Sequence, residues 1–279
     1  MKRAATWTAL VALGLLAGPA AAAIMLELRV DSELRADLAV HVVVKNIGDE
    51  PAEGALPELT LAGTTVHAAD PASLPTGFTA VWDLTMPRPT ALGTLPLVVQ
   101  LHYADGFGHQ MSAPAVHVVR TAGNPSGAVS LAVEATSVGD EGTATIRLAN
   151  PEATRVAGTL ALVASAELAV TPAERPIEMA AGGTLTVPVR IENRSAIPGS
   201  TAALWAYVTL ERGASIETLV ASAALPIGPG AAEQSRPSEM ILPLAAVGAA
   251  AILLWGVRRL LAPARVPRSR ADRRRRRTG

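Results

Sequence analysis

Residues 24–49, IMLELRVDSELRADLAVHVVVKNIGD, decide the fold. Ile24, Leu26, Leu28 and Val30 fall on one side of an extended chain, with Glu27 and Arg29 on the other, the period-two alternation of a half-buried strand. The pattern resumes at Leu38, Val40, Val42 and Val44, where His41 and Lys45 face away. It stops at Asn46-Ile47-Gly48-Asp49, a turn signal.

Downstream the rhythm repeats. A short strand is expected near Glu58 to Leu61, another along Phe78, Ala80, Trp82 and Leu84, and a long one along Leu97, Val99, Leu101 and Tyr103. The turn Ala104-Asp105-Gly106-Phe107-Gly108 reverses the chain into Gln110 to Arg120; with Ala104 to His109 as the loop, Tyr103 pairs with Gln110. Six or seven short strands between turns predict a sandwich.

Thr121 to Gly127 carries Gly and Pro without apolar periodicity and reads as a linker. Alternation then restarts at Val129, Leu131, Val133 and continues through Ala144, Ile146, Leu148, residues 156–163, Leu185 to Ile191, Leu204 to Leu210 and residues 216–225. Pro188 marks its strand as an edge or a bulge. The halves share a modest repeat at an offset of 104 residues: Asn46, Gly54 and Leu56 against Asn150, Gly158 and Leu160. The expected fold is all-β: two tandem immunoglobulin-like β-sandwich domains, residues 23–121 and 128–228, followed by one transmembrane α-helix.

That helix is residues 240–257, MILPLAAVGAAAILLWGV. Eighteen uncharged residues at the helical rise cover about 27 Å, close to a hydrocarbon core of roughly 30 Å. A polar stalk, residues 229–239, precedes it and reaches at most about 35 Å. Ala245, Gly248, Ala249 and Ala251 place small residues near one another, compatible with self-association. At the other end, Lys2 and Arg3, an apolar run from Ala9 to Ala17, Gly18-Pro19 and Ala20 to Ala23 form the three parts of a signal peptide, residues 1–22, with Ala23 the alternative cleavage point.

The overall charge of zero hides an asymmetry. Residues 24–239 hold 23 Asp and Glu against 12 Lys and Arg, net −11, whereas residues 258–279 hold 10 Arg against Asp272, net +9. Arginine clustered just past an apolar span marks the cytoplasmic side. The expected topology is therefore a single-pass type I cell-membrane protein with residues 24–239 extracytoplasmic. Arg258, Arg259 and Arg273, Arg274, Arg275, Arg276 and Arg277 set that topology and meet anionic lipid head groups rather than nucleic acid. Cysteine is absent, so no disulfide framework supports the domains. With eight aromatic residues in the chain, the cores must be aliphatic.

Val42-Val43-Val44-Lys45-Asn46-Ile47-Gly48-Asp49 resembles the V-x-V-x-N-x-G ending of the second strand in bacterial cell-adhesion-related (CARDB-type) immunoglobulin-like domains. Val170-Thr171-Pro172, Ala181-Gly182-Gly183-Thr184 and Pro198-Gly199-Ser200 are similar to NEW3-type sandwich modules. The resemblance implies an adhesive or accessory module of the cell envelope and carries no catalytic residues.

The chemistry-bearing residues fit that reading. All five histidines lie between His41 and His117, but strand geometry keeps His102 and His117 about 20 Å apart, too far for one ion. His41 is expected in the other sheet, and the histidines are read as solvent-facing. Asp105 stands alone among Gly, Phe and Ala, too few oxygens for calcium. No G-x-S-x-G or phosphate-binding glycine loop occurs, and Asp49-Glu50 and Asp140-Glu141 are solvated turn acids. No metal, cofactor or catalytic residue is expected. Trp205 and Tyr207 share one face of a strand, either as packing or a domain contact or as a platform for a sugar ring. The expected function is non-enzymatic: a membrane-anchored scaffold presenting its two modules to partner proteins of the envelope. The alternative is a carbohydrate-binding accessory protein for envelope or surface polysaccharide.

Overall fold

A computed structural model describes residues 24–122 and 127–229. They form sixteen strands arranged as sandwich-like sheets. The signal peptide, the stalk beyond Pro229, the apolar segment 240–257 and the tail arginines Arg258, Arg259 and Arg273 to Arg277 lie outside the described residues. No helix among the described residues is long and apolar enough to cross a membrane.

The opening alternation folds as read. β1 (Leu26–Leu34) and β2 (Leu38–Asn46) pair antiparallel, Val30 opposite Val42, and β2 pairs onward with β6 (Thr79–Met86). Leu38, Val40, Val42 and Val44 are fully buried. Across the core lie β3 (Ala52–Leu61), β7 (Leu92–Ala104) and β8 (Gln110–Ala122), with the short β4 (Thr64–His67) and β5 (Ala72–Leu74) on β3. Leu59, Leu97, Val99 and Leu101 meet the β2 residues there.

The second half repeats the plan. One sheet runs in the order β12 (Leu168–Thr171), β14 (Thr184–Asn193), β10 (Glu141–Ala149) and β9 (Ser130–Ala135). It faces a layer of β13 (Glu174–Met179), β11 (Val156–Ala164), β15 (Thr201–Arg212) and β16 (Ser215–Pro226). Ile146, Val187, Ile191, Leu204, Val208 and Leu210 fill the space between. Pro188 faces Thr145 of β10, whereas β12 has already ended opposite Arg190, so β14 is locally an edge where proline stands.

Two expectations need correction. β6 begins at Thr79, and Phe78 is exposed rather than part of the inward row. In the β7–β8 hairpin, Ala104 pairs with Gln110 and Tyr103 with Met111, a register one residue tighter than expected. Asp105 causes the difference. Its side chain turns inward and accepts the N–H groups of Phe107 and His109, both at 2.9 Å, which closes a five-residue loop.

The internal repeat is real at one of its three positions. Asn46 and Asn150 are both buried, and each makes the same three bonds. Asn46 donates to the carbonyls of Glu50 and Leu74 and accepts from the N–H of Gly48. Asn150 donates to Thr154 and Ala180 and accepts from Glu152. Each amide thereby ties a strand end to its own turn and to a distant loop. The glycines match for unrelated reasons: Gly54 has left-handed backbone in open space, whereas a Cβ on Gly158 would lie 2.1 Å from the Thr209 carbonyl. Leu160 is buried while Leu56 is only partly so.

Replacing Asn46 or Asn150 by Ala strands two carbonyls and one N–H. Each change is expected to cost about 2–4 kcal/mol, read as a fall in the urea midpoint with an unchanged slope.

Candidate functional site

β16 does not stop at its own sandwich. Its first residues pair in parallel with the start of β7, Ser215 opposite Leu92 and Ile216 opposite Gly93, so one sheet continues from the second half into the first. Only glycine fits at 93, where φ is +109° and a Cβ would sit 2.0 Å from the Ile216 carbonyl oxygen. Thr94 and Thr218 close the same joint: Thr218 N–H donates to Thr94 Oγ1 at 2.7 Å, and Thr218 Oγ1 donates to the Thr94 carbonyl at 2.6 Å.

Further along, β8 meets the loop after β11. Ser112 N–H donates to Glu167 Oε1 at 2.9 Å, and Ser112 Oγ accepts the Ala166 N–H at 2.7 Å. Trp205 packs between these two joints. It is partly buried and lies, with Ile216, against the apolar core of the first sandwich. Tyr207, on the same face, is partly buried, and burial raises its pKa. Trp205 therefore makes a contact with the other half of the body, whereas the charge beside Tyr207 is Glu174 of its own sandwich.

Glu167 is the chemically unusual group here. It is buried, one carboxylate oxygen holds Ser112, and the other has no hydrogen-bond partner. Burial raises its pKa. Burial and the neighbouring Glu167 charge likewise push the Tyr103 hydroxyl upward. Sequence reading missed Glu167, because an acid between two alternating runs looks solvated until the fold closes over it.

Arg212 organises the segment entering the second sandwich. Its guanidinium grips Glu152 through two bonds of 2.6 Å and reaches Glu217 at 2.8 Å. Those carboxylates in turn accept the N–H groups of Ala128 and Gly127. Glu152 is held below its ordinary value, chiefly by Arg212.

The histidines are spread out. His41 pairs with Asp83 at 2.7 Å on the outer face of the three-stranded sheet. His109 caps Asp105, which burial alone would raise but which the His109 and Phe107 bonds hold low. His117 corrects the solvent-facing reading: it is half-buried, lies 2.9 Å from Ser32 Oγ, and is lowered by burial against the pull of Asp31. Glu58 approaches His67 at 3.4 Å and His102 at 3.7 Å, an exposed cross-strand cluster that the sequence reading did not assemble. Among the described residues, no group of three His, Asp or Glu is placed to hold a metal ion.

One groove, of about 390 Å³, lies on the outer face of β1, β2 and β6 and includes Asp31, Glu33, Arg35, His41 and Asp83. Arg29 with Asp31 and Arg35 with Glu33 neutralise part of its charge in exposed pairs, which contribute little to stability. The groove remains net acidic, since Asp31, Glu33 and Asp83 outnumber Arg35.

No family model matches the chain, and no curated protein does. Solved structures that match part of it include elastase-activated alpha-2-macroglobulin of Escherichia coli, with 14% identity and a TM-score of 0.30 over 74% of this chain and 22% of that one. Salmonella alpha-2-macroglobulin reacted with methylamine has 13% identity and a TM-score of 0.31 over 73% and 16%. Red sea bream transglutaminase has 15% and 0.26 over 72% and 31%. The chain spans less than a third of the length of each of these proteins, and the overlaps carry no argument about function.

Glu167→Gln is expected to keep the bond to Ser112 and remove the buried charge. A raised folded-state pKa gives stability that is complete below the unfolded value and is lost as pH rises through the folded one. The variant should therefore be more stable than the parent at pH 8, by about 1 kcal/mol, and equally stable at pH 4. Thermal melts across that range check the sign.

Proposed function

We propose that this chain is a non-enzymatic, single-pass membrane protein whose two immunoglobulin-like modules form one extracytoplasmic body that binds partner proteins of the cell envelope. The observation that carries the reading is the double joint between the sandwiches, at Gly93–Ile216 and at Ser112–Glu167. Two modules fused through a shared sheet hold their outer surfaces in a fixed relation, which suits docking more than catalysis. The acidic groove of Asp31, Glu33 and Asp83, in a region of net charge −11, favours a partner with basic groups. The resemblance to CARDB-type and NEW3-type modules supports the same role.

Anchoring rests on the apolar residues 240–257 and on Arg258, Arg259 and Arg273 to Arg277 behind them. The packing of Trp205 against the first core weighs against an aromatic platform for polysaccharide.

Because the chain has no cysteine, single replacements report topology without background. In intact spheroplasts, a membrane-impermeant maleimide is expected to label Thr64→Cys on exposed β4 and to reach Thr278→Cys only after lysis. The reverse pattern refutes the reading.

A further inference from the structure

The parallel joint fixes direction. β7 and β16 start side by side and run the same way, so the β7–β8 hairpin loop and the end of β16 emerge at one end of the body. The Ser112 contact with Ala166 and Glu167 confirms this at the far end, since Ser165 bonds Ala203, which pairs with Ala224 near the close of β16.

That end is also apolar. Phe107 at the hairpin tip is 85% exposed and Phe78 is 63% exposed, and these are both phenylalanines of the chain. Phe78 accepts a bond from Asn46, whose neighbour Ile47 bonds Met25, so Met25, Ile47 and Phe78 adjoin one another, and all three are exposed. The β2–β3 turn holding Ile47 leads to Glu53, which pairs with Ala104 beside the hairpin loop. In the second sandwich, exposed Ile197 sits in the loop whose Gly199 and Ser200 bond Ile227, next to Gly228, whose N–H donates to the Val138 carbonyl. Five of the seven large exposed apolar side chains among the described residues thus gather at the exit end; Val81 and Leu92 lie elsewhere.

We propose that this end is a lipid-contacting pole: the loop tips carrying Phe78, Phe107, Ile47 and Ile197 seat in the interface of the bilayer that holds residues 240–257. The inference rests on the anchored reading above. The chain supplies the occupant. It leaves the body at this pole, and only residues 229–239, at most about 35 Å when extended, separate it from the apolar segment. Aromatic and aliphatic side chains on loop tips gain by entering the boundary between head groups and acyl chains. Asp49 and Glu50 stand in the same turn as Ile47, so apolar insertion, with no help from anionic lipid, must carry the contact.

The test uses the full chain in phosphatidylcholine vesicles, with an environment-sensitive dye on Phe107→Cys, Phe78→Cys or Ile197→Cys and on Leu92→Cys at the opposite end. Spin-labelled lipids are expected to quench the three pole positions severalfold more than Leu92→Cys, with a blue-shifted emission that persists in high salt. Equal access of aqueous iodide to all four sites overturns the pole while leaving the anchor standing. Shielding from iodide without lipid quenching also overturns it and assigns the pole to protein. Extraction of the unlabelled chain from vesicles by alkaline carbonate defeats the anchor itself, and the pole with it. Circular dichroism of each labelled variant confirms that the strands persist.

Discussion

The arrangement depends on the approach of β16 to β7 at Gly93. Backbone meets backbone there with no room for a side chain, and the two-residue parallel pairing converts neighbouring sandwiches into one body. Strand pairing fixes relative direction, and because this pair is parallel the contact also decides which loops share an end. Trp205 and Glu167 meet the first sandwich beside that approach, and the approach brings Ile197 and the close of β16 to the end where the first sandwich already gathers Met25, Ile47, Phe78 and Phe107.

Within each sandwich the cohesion is aliphatic, as a thiol-free chain with few aromatic residues requires. Aliphatic packing is not directional, so it leaves the loops free to vary. Asn46 and Asn150 provide the direction. A buried amide that meets two carbonyls and one N–H satisfies most of its hydrogen-bonding capacity and costs the core little, while fixing where two loops lie. Their equivalence across an offset of 104 residues points to one architectural solution used twice.

Much of this was legible in the sequence. Strict alternation placed β1, β2, β7, β10, β14 and β15, because a strand with one covered face writes its geometry into every second residue. The hairpin register came out one residue loose because an inward-turned Asp105 has no signature that separates it from a solvated turn acid. Phe78 continues the alternation of Ala80, Trp82 and Leu84 in sequence, yet the strand starts after it. Glu167 and the Trp205 contact were illegible for a different reason: their partners stand in the other half of the chain, and local patterning carries no record of contacts at that separation. The face of Trp205 and Tyr207 was recognisable as doubly apolar, but not what covers it.

The long reach of the β16 contact has a consequence for synthesis. A nascent chain completes β1 to β8 well before Ser215 and Ile216 exist, so the flank of β7 near Leu92 and Gly93 waits with unpaired backbone groups. Such a flank is a template for any other extended strand, including that of a sibling molecule. A chain ending ahead of β16 would leave that flank uncovered.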